Sequence, residues 1–315
     1  MMDQYLPFEK PIVELETKLK ELESLSLENN IELKNEVPLL QAKITALRES
    51  IFGNLTTWQR VQLSRHPLRP HASDYIELIF KDFMEMHGDR TFREDPAIIG
   101  GPTKLNQQTV MVIGLQKGRS TKEKVFRNFG MPHPEGYRKA IRFMDFAERF
   151  DLPLITFIDT PGAYPGLGAE ERGQSEAIAS CIEKMASLNV PSIAYVIGEG
   201  GSGGALSLGV ADRIFMLEYS IYSVISPEGC AAILWNDSLL ASKAAEAMKV
   251  TADEVAKLGF IDDILKEPLG GAHRDVKTMA HIMKESMVKH LNEIKKLDNF
   301  KSLRIEKYKK IGVPL

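Results

Sequence analysis

Tyr195-Val196-Ile197-Gly198-Glu199-Gly200-Gly201-Ser202-Gly203-Gly204-Ala205 places five glycines within eight positions, directly behind an apolar run. Each glycine costs about 0.5–1 kcal/mol of backbone entropy relative to alanine where regular structure forms, so packing alone does not account for the run. The pattern predicts a strand, a stretch of bare backbone N–H donors, and a helix whose N-terminus gathers partial positive charge. A group that carries or develops negative charge belongs there.

Three motifs overlap in this stretch. Gly198, Gly200 and Gly203 spell G-x-G-x-x-G with Glu218 twenty residues on, as in a dinucleotide site. Gly200-Gly201-Ser202-Gly203-Gly204 also fits the G-x-S-x-G nucleophile elbow. Asp159-Thr160-Pro161-Gly162 suggests a nucleotide switch, but no G-x-x-x-x-G-K-[ST] exists in the chain. Against the dinucleotide reading, residues 205–210 allow only a short helix before Asp212-Arg213. A hydrolase needs an Asp and then a His behind Ser202; Asp262 or Asp263 with His273, His281 or His290 keeps that order, and nothing singles out a pair.

The 315 residues, 43% of them hydrophobic, suffice for one large core with an appendage. A net charge of −3 gives no electrostatic reason to expect nucleic acid or a membrane as partner. Cys181 and Cys230 are far apart, lack metal spacing and read as buried free thiols of a reducing compartment. Without a signal peptide or an apolar run approaching eighteen residues, the expectation is a soluble cytoplasmic protein. The seven histidines form no H-x-x-H or H-E-x-x-H group, so no metal site is expected.

Ile12, Leu15, Leu19, Leu22 and Leu25, then Val37, Leu40, Ile44, Leu47 and Ile51, recur at helical spacing with polar Ser26 to Asn30 between them. This predicts an N-terminal helical hairpin over residues 1–55, with Pro38 in the first turn of the second arm and one apolar stripe per arm that docks on the body or a partner. Behind Pro67, Pro70 and His71, Ser73 or Asp74 caps an amphipathic helix to about Met86, ended by His87-Gly88. Strands are expected at 97–100, 109–116, 153–159, 190–197, 213–217, 221–225 and 261–265. Helices are expected at 135–150, 169–187, 205–210, 228–236, 241–248, 252–258 and 274–297. The continuous apolarity of 153–159 and 190–197 is that of buried parallel strands, which makes the class α/β. The main domain spans 56–300 and a tail 301–315.

Two strand–glycine loop–helix units thus stand side by side, the first running from Leu154 through Asp159-Thr160-Pro161-Gly162-Ala163-Tyr164-Pro165-Gly166. Parallel pairing puts both loops on one sheet edge, facing one crevice. Asp159 is expected to cap its own loop. Ser226-Pro227-Glu228-Gly229 opens another helix as a capping sequence or a ligand contact. Glu170, Glu171 and Arg172 form a charged first helical turn or order the crevice mouth. Lys117, Arg119, Lys122, Lys124 and Arg127 are either a solvated basic face or a partner for phosphates.

The motifs Phe157-Ile158-Asp159-Thr160-Pro161-Gly162-Ala163-Tyr164-Pro165-Gly166, Glu170-Glu171-Arg172-Gly173-Gln174, Gly198 to Ala205, and Tyr222-Ser223-Val224-Ile225-Ser226-Pro227-Glu228-Gly229 resemble the carboxyltransferase alpha subunits of bacterial acetyl-CoA carboxylases. Pro134 to Ala140 and Pro268-Leu269-Gly270-Gly271-Ala272-His273 are similar as well, and the resemblance runs from the N-terminal helices to about residue 290. It implies a crotonase-like fold of ββα units wound into a superhelix. It also implies a beta subunit that carries a zinc ribbon and most of the coenzyme A site, in an α2β2 assembly. A biotin carboxyl carrier protein, charged by an ATP-dependent biotin carboxylase, would bring carboxybiotin. The implied reaction moves the carboxyl group to acetyl-CoA and gives malonyl-CoA for fatty-acid biosynthesis.

The same resemblance gives the glycines their role. Backbone N–H groups of Gly203, Gly204 and Ala205 would stabilise charge on the ureido oxygen as carboxylate leaves biotin. The freed biotin nitrogen would remove the acetyl proton, so no side-chain base is needed. Gly162, Ala163, Tyr164 and Gly166 of the first loop, with Gly200 and Gly201, would line the biotin side, and Arg127 would assist coenzyme A phosphates across the interface.

Overall fold

Seven consecutive residues from Leu154 to Thr160 are buried, and their side chains alternate between two cores because successive strand positions point to opposite faces. Phe157 joins Tyr195 and Phe215 in one cluster, and Ile158 joins Val196 and Met216 in the other. A computed structural model describes residues 4–29 and 36–312 of the chain. Among these residues a seven-stranded mixed sheet forms the middle layer. Its strands are β1 (Ile98–Leu105), β2 (Gln108–Leu115), β3 (Leu154–Thr160), β4 (Ser192–Gly201), β5 (Arg213–Leu217), β6 (Ile221–Ser223) and β7 (Asp263–Leu265). The order is β1-β2-β3-β4-β5-β7, with β6 paired to the end of β4; β1 and β2 are antiparallel and the other pairs parallel.

Helices cover both faces. Pro134–Arg149 and Gln174–Ser187 bring Tyr137, Phe143, Met144, Cys181 and Met185 to one side. Ala72–Ile79 and Val276–Ile294 bring Tyr75, Ile76, Met279, Met283 and Met287 to the other. Cys181 is buried and unpaired, and burial pushes its thiol well up from the ordinary value; Cys230 is free and half-buried. No described helix is long and apolar enough to cross a membrane.

The expected strands appear with shifted ends, but several helices differ. The amphipathic helix ends at Ile79 rather than Met86, and its N-cap is His71. From Lys81 the chain turns extended and bonds to the edge of β1, through Met84 N–H to Pro102 O and Met86 N–H to Gly100 O. An unpaired β1 edge competed for that backbone and won over helical periodicity. The expected 169–187 helix is divided into Leu167–Glu170 and Gln174–Ser187 by left-handed Gly173 at φ 80°. Within the segment read as a tail, helix Phe300–Lys310 docks through buried Arg304, whose guanidinium binds Asp212 at 2.8 and 2.9 Å.

Arms Lys10–Asn29 and Glu36–Gly53 form the N-terminal pair, with Pro38 in the first turn of the second; residues 30–35, including the end of the expected Ser26–Asn30 turn, lie outside the described residues. Their stripe packs Ile12, Ile44 and Phe52 on Leu63 and Tyr219 of the body. The attachment is also polar: buried Glu9 faces His66 and His273 at 2.9 Å each, and the two imidazoles stack at 4.0 Å. The three side chains are close enough to suggest a metal site. However, Leu68 N–H donates to His66 Nδ1 at 3.1 Å, which leaves the proton of the neutral ring on the Nε2 that faces Glu9.

Burial lowers the His273 pKa below its ordinary value despite the Glu9 carboxylate. The unfolded chain therefore takes up a proton, below its ordinary value of 6.5, that the folded chain resists. This contribution to stability is complete above that value and is lost as pH falls. We expect the urea midpoint to drop between about pH 7.5 and about pH 5.5, and His273→Gln to reduce that drop, with His71 and His133, also lowered by burial, supplying the rest. An unchanged slope in the variant would contradict the assignment.

Candidate active site

Parallel pairing of β3 with β4 brings the loop Pro161–Gly166 and the helix Ser202–Gly209 to the same sheet edge. β4 runs four residues beyond its expected end, because Glu199, Gly200 and Gly201 pair with β6 while Gly200 also pairs with Thr160. Gly200 and Gly201 are therefore ladder residues, and the helix begins at Ser202 instead of Ala205. A Cβ on Gly201 would lie 2.2 Å from Pro161 O, and one on Gly204 would lie 2.8 Å from the Gly162 carbonyl carbon. Bare backbone at these positions is what lets the two loops touch.

Ser202 turns from strand to helix in a left-handed conformation, φ 52°, with its side chain exposed. The elbow shape is present without a base. His273 is held by Glu9, exposed His281 faces Glu285, and His290 pairs with Glu293. His133 stacks on Tyr164 at 4.1 Å. Glu218, the acidic residue of the dinucleotide pattern, instead accepts bonds from Lys266 Nζ and Glu267 N–H.

The donors at this edge belong to the backbone. Helix Ser202–Gly209 has no side-chain cap, so the N–H groups of its first turn, Gly203 and Gly204 among them, point out of its N-terminus with nothing from a cap to accept them. Gly203 is half-buried, and Gly204 and Ala205 are buried. Across from them, Gly162 N–H is engaged by Thr160 Oγ1 at 3.1 Å and Tyr164 N–H by Pro132 O at 3.0 Å, whereas Ala163 N–H has no hydrogen-bond partner among the described residues. Gln174 Nε2 ties the loop down by donating to Pro132 O and Tyr164 O, both at 2.9 Å. Gly166 lies against the Tyr164 ring. Beside the helix N-terminus opens a cavity of about 1020 Å³, bounded by Ser202, Gly203, Leu206, Tyr222, Val224 and Phe260.

Arg127 is not at this edge. It caps the short helix Thr121–Phe126 and donates to Pro96 O at 2.8 Å. Ser226 is an N-cap, accepting Gly229 N–H at 3.1 Å, and Arg172 pairs with buried Glu135. Asp159 does not cap its own loop: its Oδ1 accepts Glu199 N–H at 2.9 Å and lies 2.8 Å from Lys117 Nζ. Lys117 also reaches Glu199 at 2.5 Å, and Arg65 bridges Glu199 and Glu228 at 2.6 Å each. Sequence reasoning missed this network. Burial pushes Glu199 upward, but the charges of Lys117 and Arg65 outweigh it and hold the carboxyl below the usual range. Burial likewise opposes the charge on Lys117, and its two carboxylate partners reverse the effect.

Comparison with known proteins places this geometry among its relatives. A family model described as acetyl co-enzyme A carboxylase carboxyltransferase-like matches residues 5–312. The acetyl-coenzyme A carboxylase carboxyl transferase subunit alpha of Geobacter metallireducens is 58% identical over 315 residues, 99% of each chain. That of Methylococcus capsulatus is 55% identical over 98% of this chain and 97% of its own. Among solved structures, transcarboxylase 12S superimposes with a TM-score of 0.54 at 19% identity, over 68% of this chain and 41% of the other. A Pseudomonas malonate decarboxylase heterodimer gives 0.55 at 20%, over 67% of this chain and 84% of the other. With both structures the chain shares the crotonase-like fold.

Proposed function

This chain belongs to the acetyl-coenzyme A carboxylase carboxyltransferase family as an alpha-subunit member, and we propose that it supplies the biotin half of the transfer site. One observation carries the reading: amides with no cap to accept them, at the start of a helix, flank an apolar cavity and face a second glycine loop. A neutral bicyclic ring with a single polar ureido edge suits that combination.

Bound carboxybiotin supplies the carboxyl group, and its freed ureido nitrogen the base that takes the acyl proton. Gly203 and Gly204 N–H, with Ala205 behind them, stabilise the charge that develops on the ureido oxygen. Ala163 N–H faces the same crevice from the first loop. Leu206, Tyr222 and Phe260 exclude water from the ring and its alkyl arm. No imidazole is required: His273, His281 and His290 pair with carboxylates, and His133 is stacked on the Tyr164 ring.

The acyl-CoA enters from a beta subunit carrying its own zinc ribbon, in an α2β2 assembly served in the cytoplasm by a biotin carboxyl carrier protein and a biotin carboxylase. Val224, Ile233, Leu234 and Leu239, between 62 and 89% exposed around the cavity mouth and the following helix, fit a surface that such a partner covers. Arg127 would face coenzyme A phosphates only from across that interface.

The test is reverse transfer from malonyl-CoA to free biotin. The isolated chain is expected to be silent and the reconstituted assembly active. Turnover by the chain alone would refute the half-site reading.

A further inference from the structure

β3 and β4 run in register to Ile158↔Val196 and resume at Thr160↔Gly200, so Ile197, Gly198 and Glu199 lie opposite Asp159 alone. The bulge frees the Glu199 N–H from the ladder, and Asp159 Oδ1 accepts it at 2.9 Å. A Cβ on Gly198 would come within 2.4 Å of that same oxygen. Lys117 Nζ then bridges Asp159 at 2.8 Å and Glu199 at 2.5 Å. From this bulge the chain passes in two residues to Gly201, the N-cap of the helix whose first amides form the proposed hole.

We propose that Lys117 is a positioning residue for carboxyl transfer: by joining Asp159 to Glu199 it holds the bulge, and with it the direction of the Gly203 and Gly204 N–H groups. The inference rests on the reading of those amides as the biotin hole. Lys117 itself lines a different cavity, of about 310 Å³, shared with Arg65, His66, His71, Lys124 and Glu199. Without its ammonium, Asp159, 2% exposed, would keep no ion-pair partner among the described residues, and Glu199, 8% exposed, would keep only Arg65, which is itself committed to Glu228. One carboxylate would then take a proton or move away, and either event shifts Glu199.

The experiment compares the full chain with Lys117→Met, each assembled with its beta subunit. We expect kcat to fall about a hundredfold, as for a misplacement of about 1 Å, with the KM for acyl-CoA nearly unchanged. The K117M rate should rise as pH falls, because a proton between Asp159 and Glu199 replaces the missing link. Arg65, Arg69, His71, Lys124 and Glu228 surround the pair and are common to both proteins, so the difference between the two profiles reports the link. Adding Glu199→Gln, whose amide can donate to Asp159, should restore about tenfold of the lost rate. Hydrogen exchange over residues 198–205 of the isolated chain should quicken in K117M and slow again in the double variant. Should K117M not fold, Lys117→Gln, which keeps donors without charge, is read in the same way.

A kcat near that of the parent, a loss confined to KM, or unaltered exchange would overturn the proposal. If the parent assembly transfers nothing, the proposed function fails, and the exchange result alone decides whether Lys117 pins the bulge.

Discussion

Gly204→Val is expected to slow carboxyl transfer about 10²–10³-fold, on the order of 2.7–4 kcal/mol, the loss that follows removal of one oxyanion donor. The reason is geometric. The first atom of any side chain at Gly204 would meet the Gly162 carbonyl carbon at 2.8 Å and Ala163 N at 3.0 Å, and both are backbone atoms that cannot rotate away. The loops must separate, which moves the helix amides and Ala163 N–H apart together. Ser202→Ala is the control, since that side chain is exposed and no described histidine bonds to it. It should leave most of the activity in place. A folded S202A assembly without turnover would restore the nucleophile reading, and a G204V assembly at the parent rate would remove the hole.

Arg69→Met is expected to cost about 3–5 kcal/mol of folding stability, the range for breaking a buried ion pair from one side. Arg69 is 2% exposed; its Nε donates to Ile197 O at 2.6 Å and its Nη2 to Glu267 at 2.6 Å. Glu267 also accepts Tyr219 N–H at 2.9 Å and Ala272 N–H at 2.7 Å. One guanidinium therefore joins the linker, the first residue of the β4 bulge, and the Pro268–His273 turn. Its removal leaves a carboxylate that is 8% exposed with amide partners but no counter-charge. Urea denaturation should show the loss, and Arg69→Met with Glu267→Gln should lose less, because the stranded charge is gone. A single variant within about 1 kcal/mol of the parent would show that Glu267 is satisfied by its amides alone.

The parts of this fold that were readable in advance are those governed by local period. Residues 153–159 and 190–197 read as continuously apolar, and both proved to be central strands, β3 and β4. Helical spacing found Pro134–Arg149 and the two N-terminal arms, and Pro227 after Ser226 marked a helix start correctly. Where the period was right but a neighbour offered the backbone more, the reading failed. Residues 81–86 carry a helical stripe and instead lie along the edge of β1.

The two glycine-bearing loops behind apolar strands, read from sequence alone, put bare backbone at one edge of a parallel sheet, and the fold brings both loops there. Glycine is chosen by local geometry, and that constraint is written at the position it acts on. Tertiary structure alone decided where β4 ends and what holds it there. β6 extended it to Gly201, and Asp159, Lys117, Glu199 and Arg65 locked the bulge from positions 40 to 134 residues apart in the chain. Ion pairs across such separations have no period and no fixed spacing. Lys117 reads as one more charge in a basic stretch until the fold carries it beneath the glycines, where burial and two carboxylates give it a single place to be.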